Sequence, residues 1–500
     1  MNVEAPRRYR FAPAGKPGLF GLIPPAQIAV AAVGTLVAWV LLVVGLFPPA
    51  AAVPALVGVG VAFKRVDGRP LYQLIPVASR WRWRRRRQRG HWCRPVPLLG
   101  ATDHVPVELP PAMRGLRLLE VVDKDGGLRA VVHDQPVGTV SAVLMVSGDG
   151  QFSLADPLEQ DRRVAMWGDA IAGFCREGTA VCRVAWHEWT APAGSPHEHA
   201  ISAPAATQAE CDYEALVRVV APALTIHETH LVLTVRVDVV TPRRRQPRLE
   251  SAFEALYDQA RLFTMRLEAA GLTAGIVLSP IELTHLVRAR SDPHARAALA
   301  TRSRSLASLA GRAAVDFGPM AVDDGWQSVR VNGALHRSFW VRGWPRLDVP
   351  AAWMDGLLTS ATGARTTTVV FEPIAPSVAA RAAERDAVRL EASEHSRQRR
   401  GFRTRAGDHR ARHDVEAREH ELTAGYGDVA YAGFITVTAP SPDLLADLAA
   451  DTEQTAARTG VLLDPLDGRQ DEGWVTSLPL GRRSVRYRQR DRRAGRGWGR

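Results

Sequence analysis

The feature that most constrains this chain is a long apolar segment close to its N-terminus. The segment 26–47 has 22 residues, and Gln27 and Thr35 are its only polar side chains. A helix of about 20 apolar residues spans the hydrocarbon core of a bilayer. The sequence therefore predicts a membrane-spanning helix at this position.

A second apolar run, 50–63, follows after the turn Pro48-Pro49. Proline ends the first helix there because it lacks the backbone N–H and clashes with the preceding turn. The second run is about 21 Å long as a helix, so it spans a bilayer only with tilting, local thinning and snorkelling of the basic residues behind it. Basic residues flank the pair of runs, whereas the turn is uncharged. The positive-inside rule then predicts a transmembrane helical hairpin, 26–63, with both ends cytoplasmic.

This topology describes a multi-pass protein of the inner membrane, with a basic cytoplasmic segment, 1–25, before the hairpin. Two other interpretations stay open. A signal peptide cleaved near Ala50-Ala51-Ala52 would have an unusually long apolar core, since such cores usually have about 7–15 residues. The two runs can also be read as a buried helical hairpin of a soluble protein.

A segment rich in tryptophan and arginine, 64–97, follows the hairpin. Tryptophan suits the headgroup layer, and each clustered arginine contributes about 1 kcal/mol of attraction to anionic lipid. Stacking of tryptophan on bases would instead indicate a nucleic-acid site, but the adjacent hairpin favours the membrane surface. The predicted membrane-surface residues are Trp81, Arg82, Trp83, Arg84, Arg85, Arg86, Arg87, Arg89 and Trp92.

The net charge of +12 is unevenly distributed along the chain. Residues 1–25, 64–94 and 481–500 carry +3, +10 and +8, which leaves −9 for the body, 95–480. An acidic body with basic ends is not the profile of a protein that binds nucleic acid along its whole length. The four cysteines lack C-x-x-C spacing in a long chain, which indicates reduced thiols and no disulfide framework.

The rest of the chain has the mixed pattern of an α+β protein. Apolar alternation predicts strands such as Leu116–Val122, and helical spacing predicts helices such as 249–270. We expect two mixed α+β modules, 98–284 and 326–481, separated by a connection, 285–325, that is poor in structural signals.

The second module has the element order β-α-β-α-β-α, which is typical of a ferredoxin-like fold. It carries a long, highly charged helical insertion, 376–422, which Gly401 and Gly407 divide into two helices. The C-terminal tail, 482–500, is basic and contains glycine, a composition typical of disordered segments.

No residue pattern predicts an active site. A P-loop needs a lysine behind G-x-x-x-x-G, and Lys16, Lys64 and Lys124 all stand in other contexts. The histidines near 187 and 227 lack the H-E-x-x-H spacing of a zinc helix, so we predict solvated loop or strand-end histidines. Asp323-Asp324 stands in a turn context. The sequence predicts a protein that is not an enzyme and has no cofactor and no metal site.

Two parts of the chain resemble components of conjugation machines. Ile23-Pro24-Pro25 leads into the apolar pair and its basic exit, as in the PrgI-type small membrane subunit. The stretch 326–481 resembles the N-terminal, non-motor region of the large type IV secretion (conjugation) ATPase, with a looser likeness over 100–325. The phrases that carry this likeness are FWVRGWP at 339–345, VPAAWM at 349–354, FEP at 371–373, TVTAPSP at 436–442 and SLPLG at 477–481.

In that ATPase family the last phrase stands directly before the P-loop motor, and this sequence has no motor. The resemblance therefore implies a split arrangement like that of actinobacterial conjugation-type clusters. This chain would anchor the assembly in the membrane, and a separately encoded P-loop ATPase would dock on 326–481. A homo-oligomer is also possible. The expected docking residues are Trp353, Trp474, Arg482 and Arg483, although the tryptophans also suit core packing. The alternative is a membrane-tethered nucleic-acid-binding protein that uses the arginine-rich segments.

Overall fold

The computed structural model describes the chain in several stretches. These are residues 9, 11, 25–45, 47–66, 69–87, 90–94, 108–192, 207–209, 211–212, 215, 225–240, 249–293, 317–359, 363–399 and 406–482. Arg89, Arg483 and the rest of the predicted tail lie outside them, as do most of the segment 1–25 and most of a helix predicted at 204–221. The predicted connection is described only at its two ends.

Two antiparallel helices, α1 (Pro25–Val43) and α2 (Pro48–Phe63), follow the N-terminal segment. Small residues let them approach closely. A Cβ added to Gly34 would lie 2.7 Å from the carbonyl oxygen of Pro54 and 2.9 Å from the Cα of Gly58. Near the open end of the pair, Gln27 Nε2 donates to the carbonyl of Ala62 over 3.1 Å. The expected helical hairpin is therefore present.

A two-residue strand pair, β1 (Arg65–Val66) and β2 (Arg69–Pro70), leads into helix α3 (Leu71–Arg86). The strand β3 (His91–Cys93) then enters the sheet of the body. The arginine- and tryptophan-rich segment is thus mostly one helix, and its end is part of the body.

The body contains one antiparallel sheet of thirteen strands. Besides β3, its strands are β4 (Leu116–Val122), β5 (Leu128–Asp134), β6 (Thr139–Ser147), β7 (Val181–Pro192), β8 (Thr225–Arg236), β9 (Thr273–Val277), β10 (Ala321–Asp324), β11 (Val329–Val331), β12 (Ala334–Gly343), β13 (Ala364–Ile374), β14 (Asp428–Ala439) and β15 (Leu462–Pro465). The main path runs β3-β10-β11-β12-β14-β13-β7-β8-β6-β5-β4, with β15 on β12 and β9 on β6. The α+β class expected from the sequence is confirmed.

The two halves of the sheet repeat one strand order. In the first half the order is β9-β6-β8-β7, and in the second half it is β15-β12-β14-β13. β6, the first of its four strands along the chain, pairs with the third, β8, and the fourth, β9. In the same way, β12 pairs with β14 and β15. The halves meet edge to edge where β7 pairs with β13, from Val184 opposite Phe371 to Thr190 opposite Arg365. The two predicted modules therefore share one continuous sheet.

Helices cover both faces of this sheet. They are α4 (Pro157–Ala172), α5 (Val237–Val240), α6 (Leu249–Ala269), α7 (Pro280–Ser291), α8 (Asp355–Thr359), α9 (Pro376–Arg399), α10 (Ala406–Thr423), α11 (Pro442–Arg458) and α12 (Gln470–Ser477). The first face packs against α4, α6, α8 and α11. The second face packs against α7 and α12, and one core there joins Val132 of the first half to Trp474 and Leu478 of the second.

Local sequence signals explain several boundaries. Asn332-Gly333 forms the two-residue turn between β11 and β12, with Asn332 at a φ of 51°, as an Asn-Gly hairpin turn requires. The insertion forms the two helices α9 and α10, as expected. The turn expected at Asp323-Asp324 is wrong, because both residues lie in strand β10 and pair with β11, and Asp323 also pairs with β3.

Candidate functional site

The helical hairpin presents a large apolar surface. Leu36, Trp39, Phe47 and Leu56 are each at least 60% exposed. Over the described residues, one helix is long and apolar enough to cross a membrane, across Ala26–Val43, and α2 is shorter. A folded protein rarely leaves so many large apolar side chains open to water.

An arginine on α3 fastens that helix to the body. The guanidinium of Arg84 contacts Asp324 of β10 and Asp471 of α12, each over 3.0 Å. It also donates to the carbonyl of Gly468 over 2.9 Å. Both carboxylates are more than nine-tenths buried, whereas the arginine side chain is 27% exposed. Arg84 was expected at the membrane surface. That expectation is wrong, because its guanidinium contacts buried aspartates of the body.

A second arginine binds the body just before α3. Arg69 is buried, and its guanidinium donates to the carbonyl of Pro465 over 2.5 Å. It lies 3.6 Å from a carboxylate oxygen of Asp464 and 3.9 Å from one of Asp467. We call the contacts of Arg69 and Arg84 with these four aspartates the arginine clamp. The clamp binds α3 to the body at both ends, through Arg69 just before the helix and Arg84 near its last residue.

The electrostatics of the clamp are asymmetric. Burial opposes the charge on Arg84, but Asp471 and Asp324 outweigh it and raise the pKa of Arg84. Burial, reinforced by Asp471, raises the pKa of Asp324 more than Arg84 lowers it. Asp324 and Asp471 both contact Arg84, which makes this guanidinium the group on which the buried arrangement depends.

Close packing surrounds the clamp. Trp81 meets Trp326 edge to face, with ring centroids 5.4 Å apart. Gly468 has a φ of +68°, and a Cβ there would lie 2.6 Å from the Trp326 ring and 3.0 Å from the side chain of Val77. The loop before α12 can approach α3 only because this residue is glycine.

The outer face of α3 is basic and aromatic. Its exposed members are Arg82, Trp83, Arg85, Arg86 and Arg87. The Arg87 guanidinium lies 4.5 Å from the centre of the Trp83 ring. Trp92 belongs to β3 and packs against the core of the second face, so it is not part of this surface. The membrane-surface prediction therefore stays open for these five residues.

The expected docking residues have different environments. Trp474 is fully buried, so it has no surface to offer a partner, and its prediction as a docking residue is wrong. Arg482 is also committed within the chain, since it donates to the carbonyl of Arg114 over 2.8 Å and lies 3.8 Å from Asp134. Arg183 donates to the carbonyl of Gly481. These contacts hold the SLPLG phrase against the body.

Trp353 is half-buried, and the N-terminal segment covers it. The Phe11 ring lies against Trp344, Trp353 and Tyr431, with centroids 5.5, 5.1 and 6.1 Å away. We call these three residues the aromatic cradle. No sequence signal indicated that the segment before the hairpin returns to the body.

Two histidines that the sequence placed in solvent are buried in the sheet. His187 and His230 lie opposite each other on β7 and β8. Burial, reinforced by neighbouring positive charge, lowers the pKa of His187 to about 3 and that of His230 to about 4. His187 Nδ1 lies 3.1 Å from the hydroxyl of Thr368. The solvated-histidine prediction is therefore wrong at these positions, and both side chains are neutral at pH 7.

In the described stretches, no group of three or more His, Cys, Asp or Glu side chains is placed to hold a metal ion. The features that stand out are the apolar hairpin, the arginine clamp, the basic face of α3 and the covered cradle. A comparison with models of protein families and with curated proteins finds no match for this chain.

Proposed function

We propose that this chain is a non-enzymatic inner-membrane subunit of a type IV secretion or conjugation-like apparatus. It anchors a cytoplasmic body to which a separately encoded P-loop ATPase docks. The observation that carries the anchoring role is the arginine clamp. It binds the segment that directly follows the apolar hairpin to the thirteen-stranded body, as a membrane anchor for a large body would need.

The placement of both ends of the hairpin supports the proposed topology. Gln27 at the start of α1 binds Ala62 at the end of α2. Tyr9, before the hairpin, pairs with Val349 of the body, which follows it. Both flanks of the hairpin then lie on one side of the bilayer. Pro48-Pro49, which the sequence predicted as a turn and which the structure has as the start of α2, lies on the other side.

The ATPase-docking role rests on the resemblance and on the repeated strand order. The second half has the element order β12-α8-β13-β14-α11-β15 and the sheet order 4-1-3-2, which supports a ferredoxin-like unit. The first half has the same arrangement. We propose two such units joined edge to edge. The motor would dock beside the SLPLG residues, 477–481, which are bound to the body through Gly481 and the neighbouring Arg482.

Labelling of cysteines in intact cells tests the anchoring role. An impermeant maleimide should label Ala50→Cys in the first turn of α2, and native Cys93, which is exposed on the body, should react only after permeabilisation. Peptide mapping separates Cys93 from Cys211. Labelling of Cys93 from outside would contradict the proposal.

Co-purification with a P-loop ATPase encoded in the same gene cluster tests the docking role. The full chain is the right bait, because a 326–500 fragment would lose the partner strand of β13. Removing 483–500 should slow association and reduce its salt sensitivity, since charges at the rim act mainly on the association rate. Capture of the ATPase by the hairpin segment 1–94 alone would contradict docking on the body.

A second candidate is a membrane-tethered nucleic-acid-binding protein, which the exposed arginines of α3 favour. Nucleic-acid binding by phosphate contacts falls steeply with salt. Retention of DNA by the full chain that is lost on changing Arg85, Arg86 and Arg87 to glutamine would support this candidate. Retention of anionic vesicles with the same dependence would support the membrane surface.

A further inference from the structure

A thiol, an imidazole and a carboxylate lie side by side at the outer edge of the sheet. His91 and Cys93 are two residues apart on β3, so their side chains point to the same face of that strand. Asp323 of β10 is the residue directly opposite His91. Trp92, between the two β3 residues, points to the other face and packs against the core there. We call Cys93, His91 and Asp323 the thiol row.

The distances within the thiol row suit proton transfer from the thiol. The sulfur of Cys93 lies 3.3 Å from Nε2 of His91, a hydrogen-bond distance for a thiol. Nδ1 of the same ring lies 4.0 Å from Oδ1 of Asp323. A carboxylate beside Nδ1 favours the tautomer that carries its proton on Nδ1, which leaves Nε2 free to accept the thiol proton. The row therefore has the order of nucleophile, base and orienting group that activates a cysteine.

The thiol row is open to solvent. Cys93 is exposed, and the side chains of its two partners in the row are at least 50% exposed. The charged residues beside the row are Arg330, which lies opposite Asp323 on β11, and Arg94, which follows Cys93 in the chain. Cys175 differs, because it is buried and burial raises the pKa of its thiol. Exposure together with an adjacent base distinguishes reactive cysteines from structural ones.

We propose that Cys93 is a site of thiol–disulfide exchange, modified by low-molecular-weight disulfides with His91 as its base. The Cys93 sulfur attacks one sulfur of the disulfide and passes its proton to Nε2 of His91. The S–S bond of the small molecule breaks, and its second sulfur leaves as a thiolate that takes the proton from His91. The products are a mixed disulfide on Cys93 and one small thiol, so the exchange needs no other oxidant, and excess thiol reverses it.

The full chain in detergent, reduced and then freed of reductant, tests this assignment with hydroxyethyl disulfide, a small neutral probe. Samples are taken over time at neutral pH and quenched in acid, and mass spectrometry of peptides gives the modified fraction of each cysteine. Cys211, which is also exposed, provides the reference rate within the same chain. Cys93 should form the mixed disulfide, and added dithiothreitol should remove it.

His91→Asn removes the base and keeps a polar side chain. A base beside a cysteine increases its thiolate fraction at neutral pH, and the gain is partly offset because a more acidic thiol is a weaker nucleophile. The rate at Cys93 relative to Cys211 should therefore fall about three- to tenfold. Asp323→Asn, which changes a positioning residue, should cause a smaller fall. His420→Asn, at an exposed position of α10, is the matched control and should leave the rate unchanged.

Alkaline solution separates the chemical role of His91 from a structural one. At about pH 10 an ordinary exposed thiol is ionised without a base, so the wild-type, His91→Asn and Asp323→Asn chains should react there at the same rate. Equal rates for the wild-type and His91→Asn chains at neutral pH would overturn the proposal. A fall in the His91→Asn chain that persists in alkaline solution would also overturn it, because that fall would reflect access to the thiol. Circular dichroism checks that each variant is folded, and none of these measurements involves the ATPase.

Discussion

Replacing Arg84 by methionine tests whether the arginine clamp holds α3 to the body. Methionine keeps most of the length of the side chain and removes its charge and its donors. The change removes the guanidinium that Asp324 and Asp471 both contact, and the Gly468 carbonyl also loses its donor. Two buried carboxyl groups then lack the guanidinium that contacts both of them.

The expected cost follows from that uncompensated charge. Removing one partner of a buried ion pair costs about 3–5 kcal/mol. The true value should fall near the lower end, about 3 kcal/mol, because Arg84 is partly exposed and protonation of Asp324 relieves the repulsion. At about 2 °C per kcal/mol for a large domain, the melting temperature should fall by about 6 °C.

Thermal unfolding of the full chain in detergent, followed by circular dichroism, measures this change. Arg82→Met is the matched control, because it lies on the outer face of α3, and it should change the unfolding free energy by less than about 0.5 kcal/mol. Asp324→Asn should recover part of the loss in the Arg84→Met chain. Equal melting temperatures for Arg84→Met and Arg82→Met would refute the clamp.

Three further outcomes are expected. Gly34→Leu should separate the helices of the hairpin and lower disulfide formation between cysteines placed at 27 and 62, whereas Gly60→Leu should not, because a Cβ at Gly60 has no neighbour within 4 Å. The unfolding free energy should fall as pH decreases from about 6.5 toward 4, by up to about 1.4 kcal/mol per unit for each of His187 and His230, since only the unfolded chain takes up those protons; an equally steep fall in a His187→Asn chain would contradict this. Purified full chain should not hydrolyse ATP in a phosphate-release assay, and turnover abolished by one point substitution in this chain would contradict a non-enzymatic role.

Local patterns were enough to predict many elements. The sequence predicts a strand over 428–438 and a helix over 442–458, and the structure has them at Asp428–Ala439 and Pro442–Arg458. Apolar alternation and helical spacing are local signals. The sequence around Asn332-Gly333 predicts a long strand or a hairpin, and the structure has the hairpin turn. In these regions the residues that decide the structure are neighbours in the sequence.

The contacts that define the candidate site depend on distant partners. Asp324 and Asp471 come from separate elements, and nothing around Arg84 distinguishes it from the arginines beside it in the sequence. The repeated strand order could not be predicted from the sequence either. Apolar alternation indicates that a segment is a strand, but it does not indicate which other strand it pairs with. Tyr9 and Phe11 likewise give no sign in the sequence of the surface that they contact.

The pairing of β7 with β13 has a consequence for the order of synthesis. About 170 residues separate the end of β7 from the start of β13, which at about 5–20 residues per second takes roughly 10–30 s to translate. During that time β7 is the open edge of the first half, after the hairpin has already left the ribosome. An unpaired edge strand readily joins other chains. Newly made copies that share a membrane would thus be held close together when this edge is open, and a chaperone that covers it would act before the second half emerges.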